Sequence, residues 1–371
     1  MNKKISLADL HLQYKSIQKE IDSAIKSVIK DSAFIGNKNN LYTKKFETAF
    51  ADYLGIKHCI SVGNGTDAIE IALKSLGIGR GDEVIVPAIS WIATSEAISN
   101  IGAKPVFADI LPSYYTIDPK EVEKKITKKT RAIIPVHLYG LACEMDEIMK
   151  IAHKNKLLVV EDCAQAHGAA YKGKTVGTFG DAATFSFFPG KNLGAYGDAG
   201  AIITDNLKIA ETCRLISNHG QIKKNVHFME GRNSRMDGIQ SAILSVKLPY
   251  LPKWLARRRE IAEKYTKELR GINGIITPSF PDHSVHTFHL YTIQVKDRES
   301  LQKKLAEEGI ETGVHYPTPL PFLTPYEKRH KKSEFPVARK ITSETLSLPL
   351  YPEMTEKQIS FVVNEIKKIM S

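Results

Sequence analysis

The sequence is sparing in cysteine and has no long apolar run. Four cysteines (Cys59, Cys143, Cys163, Cys213) are scattered through 371 residues without a CxxC pair. That argues against a disulfide framework or a zinc site and fits a reducing cytosol. No stretch approaches the roughly 18 apolar residues of a membrane helix. Residues 1–6 lack the apolar core of a signal peptide. A cytoplasmic protein without a membrane segment or a metal is therefore expected. Low-complexity tracts and internal repeats are missing as well. The net charge of +11 is not gathered into a patch: Lys128-Lys129, Lys223-Lys224 and Arg257-Arg258-Arg259 are short runs in a chain basic throughout. With no aromatic-interleaved basic motif, nucleic acid is not expected as a partner. A mild positive field suits an anionic, phosphate-bearing substrate instead.

What is present is an ordinary soluble composition, 42% hydrophobic and 25% charged, in a chain too long for one minimal domain. Ile17, Ile21, Ala24, Ile25 and Val28 share one face of an amphipathic helix over 17–29. Short β-branched runs at 83–86, 132–136 and 157–160 then alternate with helical patterns. This implies βαβ units and a mainly parallel sheet covered on both faces. The runs 185–188 and 200–204 stand too close for a helix between them, so an antiparallel excursion is expected. Long helices restart near Met236 and Trp254, the second with Ile261, Ala262, Tyr265 and Leu269 on its face. A strand over 288–293 and a closing helix through Ile359, Val362, Val363, Ile366 and Ile369 complete the pattern. The reading is an α/β large domain, 1–245, with a smaller α+β domain, 246–371.

Three segments point to chemistry. In Val160-Glu161-Asp162-Cys163-Ala164-Gln165 an apolar strand delivers an acid at its carboxyl end, where ligands bind in open α/β sheets. Alone, Asp162 reads equally as a helix N-cap. The next strand, however, ends in Phe188-Pro189-Gly190-Lys191-Asn192-Leu193-Gly194. A lysine in a Gly-flanked loop can approach a cofactor closely, and a desolvated lysine is the usual Schiff-base nucleophile. Third, Ser61-Val62-Gly63-Asn64-Gly65-Thr66 opens a helix whose free N–H groups and dipole suit a phosphate.

Two glycine-rich segments are decoys. Gly168-Ala169-Ala170-Tyr171-Lys172-Gly173-Lys174-Thr175 satisfies the P-loop pattern, but Val176-Gly177-Thr178-Phe179 does not read as the helix that motif requires. A β-hairpin is expected there, and a P-loop hydrolase is disfavoured. Residues 77–81 precede a strand, whereas a dinucleotide fingerprint follows one.

With these pieces placed, the chain resembles the DegT/DnrJ/EryC1/StrS family of sugar aminotransferases from residues 6–10 to 348–352. The motifs are 63–68, 161–165, Phe185-Ser186-Phe187 with Lys191, and Gly231-Arg232-Asn233-Ser234-Arg235-Met236-Asp237. The resemblance implies the aspartate aminotransferase (fold type I) architecture and pyridoxal 5′-phosphate (PLP) as cofactor. It implies that Lys191 holds PLP as a Schiff base and moves the proton, and that Asp162 pairs with the pyridine nitrogen. It further assigns Gln165 to the phenolic oxygen, Gly65, Thr66 and Ser186 to the phosphate, and Trp91 to the ring face. Asn233 would reach the phosphate of a neighbouring subunit, making a homodimer with shared sites. His315 and Tyr316 resemble the substrate-side segment. L-glutamate would donate the amino group, leaving as 2-oxoglutarate, and a keto sugar nucleotide would accept it. Relatives with histidine at the lysine position dehydrate; Lys191 favours transamination. The loop 189–200 looks like that of C3-aminating members rather than C4. Asn218-His219-Gly220-Gln221 with His227 is similar to enzymes of UDP-linked 3-keto N-acetyl sugars, a dTDP-3-keto-6-deoxyhexose being the next candidate. Lipopolysaccharide or another surface glycan is the implied destination.

Overall fold

The computed structural model describes residues 4–36, 39–331 and 333–371. Seven strands form its main sheet: β1 His58–Val62, β2 Glu83–Pro87, β3 Lys104–Ala108, β4 Thr130–Ile133, β5 Leu158–Asp162, β6 Ala182–Ser186 and β7 Gly200–Thr204. Their order is β1-β7-β6-β5-β4-β2-β3. All run parallel except β7, which is antiparallel to both neighbours. The reason is local: the link from β6 to β7 holds the Lys191 loop and no helix, and a parallel return needs a long crossover. The expected antiparallel excursion is present.

Helices cover both faces. One face is closed by Phe46, Phe50, Phe185 and Phe187, the other by Ile69, Leu73, Phe107 and Ile202. The leading amphipathic helix spans Gln18–Lys30, and the two later helices span Gly238–Lys247 and Leu251–Leu269. A second sheet of Ile275–Ile276, Tyr291–Val295 and Thr345–Leu348 carries its own core under Tyr265, Leu269, Ile359 and Val363. The helix Leu251–Leu269 runs from the first core, at Leu251 and Leu255, into the second.

Three expectations shift. The strand expected at 132–136 stops at Ile133, before Pro135, which has no N–H to give. The run 185–188 is strand only to Ser186. The strand expected from 288 begins at Tyr291. There Phe288 has φ 45, and the N–H groups of Thr287 and His289 donate to the Gly140 and Tyr139 carbonyls. That backbone is already committed to another loop. The decoy at 168–175 is a hairpin, Ala170–Tyr171 paired with Lys174–Thr175. Lys172 and Gly173 both have positive φ (49 and 79), the conformation a tight hairpin turn demands.

Beneath the sheet end, Glu161 is fully buried and accepts four hydrogen bonds. They come from His137 Nε2 (3.0 Å) and from the N–H groups of Gly177 (2.7 Å), Phe179 (2.7 Å) and Gly180 (2.9 Å). His137 Nδ1 accepts from Cys143 N–H at 3.1 Å, which fixes the proton on Nε2. Burial works to raise the Glu161 pKa, but these donors outweigh it and hold the carboxyl below its usual range. His137, Glu161 and Cys163 lie close enough to suggest a metal site. Yet the one imidazole lone pair is already taken, so the cluster is a strut joining β5 to the 177–180 turn. Glu161→Gln puts an NH2 against backbone donors and should lower stability by about 3 kcal/mol. Urea unfolding checks this; an unchanged midpoint would contradict it.

Candidate active site

The carboxyl ends of β1, β2, β5 and β6 open on one side of the sheet, and each supplies part of a single constellation. At the end of β1, Asn64 caps the helix Gly65–Ser75, its side chain accepting from Asp67 N–H at 2.8 Å. Gly65 and Thr66 are the first residues of that helix, where backbone N–H groups have no partner in the helix. Gly65 lies against the end of β6: a Cβ on it would fall 2.7 Å from Ser186 Cβ. Only glycine lets this helix start meet Ser186. The three residues expected to hold a phosphate thus form one cradle.

Asp162 ends β5, almost fully buried. Its Oδ1 accepts from Ala164 N–H at 3.1 Å and its Oδ2 from Thr94 Oγ at 2.9 Å. Thr94 has only one proton to give, so Ser90, 2.8 Å away, donates to Thr94 in turn. The carboxylate is fixed in direction by these two hydrogen bonds. Lys191 is partly buried in the loop after β6. Desolvation lowers its pKa from 10.5 to about 8, and the charge of Asp162 acts in the opposite sense. A group so shifted, within the field of a named carboxylate, marks a reactive amine.

Gln165 bridges two elements. Its Oε1 accepts from Tyr139 N–H and its Nε2 donates to Tyr316 Oη, both at 2.8 Å. One amide proton stays available. Trp91 is no core aromatic: it is 59% exposed, with its ring 5.8 Å from that of Tyr316. His315 bonds Ser347 Oγ through Nδ1 at 2.9 Å. Asn233 is not brought to this cluster within the chain. It lies exposed beside Asn218, while its neighbours tie the segment to the helix Gly65–Ser75. Ser234 Oγ donates to Asp67 at 2.6 Å, and Arg232 spans Asp67 (2.7 Å) and Glu70 (2.8 Å).

Sequence reasoning missed Ser90, Thr94 and Tyr139. Thr94 meets Asp162 across 68 residues, which no local pattern reveals. Tyr139 carries the one available signal, a Tyr-Gly pair. Its φ of 57 and that of Gly140, 99, turn the backbone sharply, and a Cβ on Gly140 would meet Thr287 Oγ at 2.4 Å.

These residues fit PLP: a glycine-lined helix start for its phosphate, a fixed carboxylate, and a desolvated amine beside it. The fold is that of aspartate aminotransferase, fold type I. Solved structures bear this out. S. venezuelae DesV in complex with a ketimine intermediate has a TM-score of 0.96 at 37% identity, covering 99% of each chain. Other structural neighbours carry the cofactor as PLP or as pyridoxamine phosphate. The protein is thus a PLP-dependent aminotransferase. More narrowly, residues 15–367 match the DegT/DnrJ/EryC1/StrS aminotransferase family, and the chain belongs to it. It is 47% identical to a pleiotropic regulatory protein of Geobacillus stearothermophilus, over 98% of this chain and 97% of that one. It is 44% identical to the dTDP-3-amino-3,6-dideoxy-α-D-galactopyranose transaminase of Aneurinibacillus thermoaerophilus, over 98% of both.

The Lys191 environment has a measurable consequence. Only a neutral amine condenses with an aldehyde, so cofactor uptake by the apoprotein should quicken as pH rises through about 8. Asp162→Asn removes the charge that helps Lys191 keep its proton and should move that midpoint to lower pH. Stopped-flow absorbance reads both; a wild-type midpoint near the ordinary 10.5 would contradict the buried-amine geometry.

Proposed function

We propose that this protein transfers an amino group from L-glutamate to the C3 keto group of a sugar nucleotide. The observation that carries the reading is one sheet end: Asp162 of β5 opposite Thr184 of β6, Ser186 at the end of β6 against Gly65, and Lys191 in the following loop, desolvated within the field of Asp162. When bound, PLP supplies an aldehyde that condenses with amines and a ring that accepts an electron pair. Lys191 would hold the cofactor and then carry the proton between substrate carbon and cofactor, one positioned lysine serving both half-reactions. Asp162 would keep the ring nitrogen protonated, and the spare amide proton of Gln165 would meet the phenolic oxygen. Gly65 and Thr66 N–H with the Ser186 hydroxyl would take the phosphate, and Trp91 would cover the ring.

His315 and Tyr316, on the far side of Gln165, would face the sugar. The likeness to a 3-amino sugar transaminase supports C3, with a dTDP-3-keto-6-deoxyhexose or a UDP-linked 3-keto N-acetyl sugar as acceptor. The product suits a surface polysaccharide made from cytoplasmic precursors, a setting in keeping with four free, buried cysteines.

Asn233 would act in the neighbouring subunit of a homodimer. Supporting this, the hairpin beside it exposes Ile222 (51%), Val226 (41%) and Phe228 (73%), an apolar surface that a monomer would leave in water.

The protein with L-glutamate should lose its PLP absorption band and release 2-oxoglutarate, and Lys191→Ala should do neither. Of a panel of 3-keto and 4-keto sugar nucleotides, a 3-keto compound should restore the band. No change with glutamate would overturn the transferase reading and favour a regulatory role; restoration by 4-keto compounds alone would overturn C3. In a two-fold dimer with shared sites, mixing Lys191→Ala with Asn233→Ala subunits leaves one native site per heterodimer. Activity should return to about a quarter of wild type on random reassortment, and no return would refute the shared site.

A further inference from the structure

We propose that Lys247 is a positioning residue for the reaction, its buried amine pinning the loop that presents Lys191. The inference rests on Lys191 as the cofactor-bearing lysine. Lys247 closes the helix Gly238–Lys247 and is 1% exposed. Its Nζ donates to the Gly194 carbonyl at 2.7 Å and sits 4.1 Å from the centre of the Tyr196 ring. Among the described residues no carboxylate lies within ion-pairing distance of it. A buried amine without a counter-ion is expensive, and burial brings its pKa to about 7, with the charge of Glu353 acting against that fall. A structure that only needed to fill this space would be better served by an apolar side chain.

What the amine does is visible in the loop. Gly194 follows Lys191 by three residues, and the loop is stitched at its base by Lys191 N–H to Phe188 O and Ala195 N–H to Phe187 O, both 2.8 Å. The tight path demands glycine, since a Cβ at Gly194 would fall 2.2 Å from the Pro189 carbonyl oxygen. Two turns before Lys247, on the same helix face, Gln240 accepts from Tyr196 N–H at 2.8 Å and donates to Tyr196 O at 3.2 Å. One helix face therefore grips the loop at residues 194 and 196, just beyond Lys191. Without Lys247 the Gly194 carbonyl loses a partner in a dry site, and the loop would move to find another. The same helix begins directly after the 231–237 motif, so the grip ties the third family motif to the fourth.

The test is Lys247→Met, which keeps the volume and removes the donor, beside Lys247→Arg, which keeps a donor. Both are purified with PLP and compared with wild type by circular dichroism, visible spectrum, cofactor loss on dialysis and steady-state kinetics. Lys247→Met should fold but lose PLP faster and show kcat lower by about tenfold each. The KM for glutamate should stay within about twofold, and Lys247→Arg should recover most of kcat. A lower melting temperature with unchanged spectrum, dialysis rate and kcat would mean a purely structural residue and would overturn the proposal. Should Lys247→Met fail to fold, Lys247→Ala, which also removes the donor but leaves room for water, must show the same spectral and kinetic change, and its absence overturns the proposal equally. A wild-type protein that takes up no PLP would instead sink the Lys191 reading itself.

Discussion

Lys191 leaves water at the mouth of a parallel sheet, where desolvation draws its pKa down and the Asp162 charge draws it back toward about 8. Holding an amine in that balance fixes much else. Asp162 must be immobile, so it accepts hydrogen bonds from Thr94 Oγ and Ala164 N–H, and Thr94 accepts one from Ser90. Strand register does the rest. Asp162 pairs with Thr184 in β6, and Gly200 of β7 stands opposite both Val62 and Ser186. A Cβ at Gly200 would fall 2.4 Å from the Asn64 carbonyl oxygen. The single antiparallel strand thus carries its glycine where the helix start at Gly65 must close on Ser186.

The features legible in the sequence are those whose chemistry is local. A strand ending in an acid, a Gly-flanked lysine and a Gly-Asn-Gly helix start each declare themselves within about ten residues. So did the hairpin at 168–175, because Val176-Gly177 cannot open the helix a P-loop needs. The parallel sheet followed from strand-like runs alternating with helical ones, and its reversal at β7 from the short link before it.

What stayed hidden depends on partners far apart in the chain. The Tyr139–Gln165–Tyr316 bridge joins three separate segments of the chain. Nothing near Phe288 in sequence tells that its neighbours donate to the 139–140 loop. Trp91 stands in an apolar-looking segment, yet only the open sheet end leaves it exposed beside Tyr316. The acceptor sugar is hidden for another reason: pocket shape and hydrogen bonding select it, and neither is written in motifs.

Electrostatics around Lys191 favours the proposed role of one lysine in handling the proton. His167, His289 and His315 all lie within its field. Burial first, and the Lys191 charge second, push His167 to about 3 and His315 to about 4, with His289 also well below its ordinary value. All three are therefore neutral at pH 7, and none would compete with Lys191 for a proton. Nearby positive charge is neutralised: Arg232 spends its charge on Asp67 and Glu70 of the helix Gly65–Ser75. A phosphate in the cradle would meet backbone N–H groups and the Ser186 hydroxyl. A full positive charge there would depress Lys191 further, below the range in which it can both gain and lose a proton near neutrality. Binding the phosphate through a helix start would keep anion recognition and proton transfer from working against each other, and would leave Asp162 and burial to set the balance.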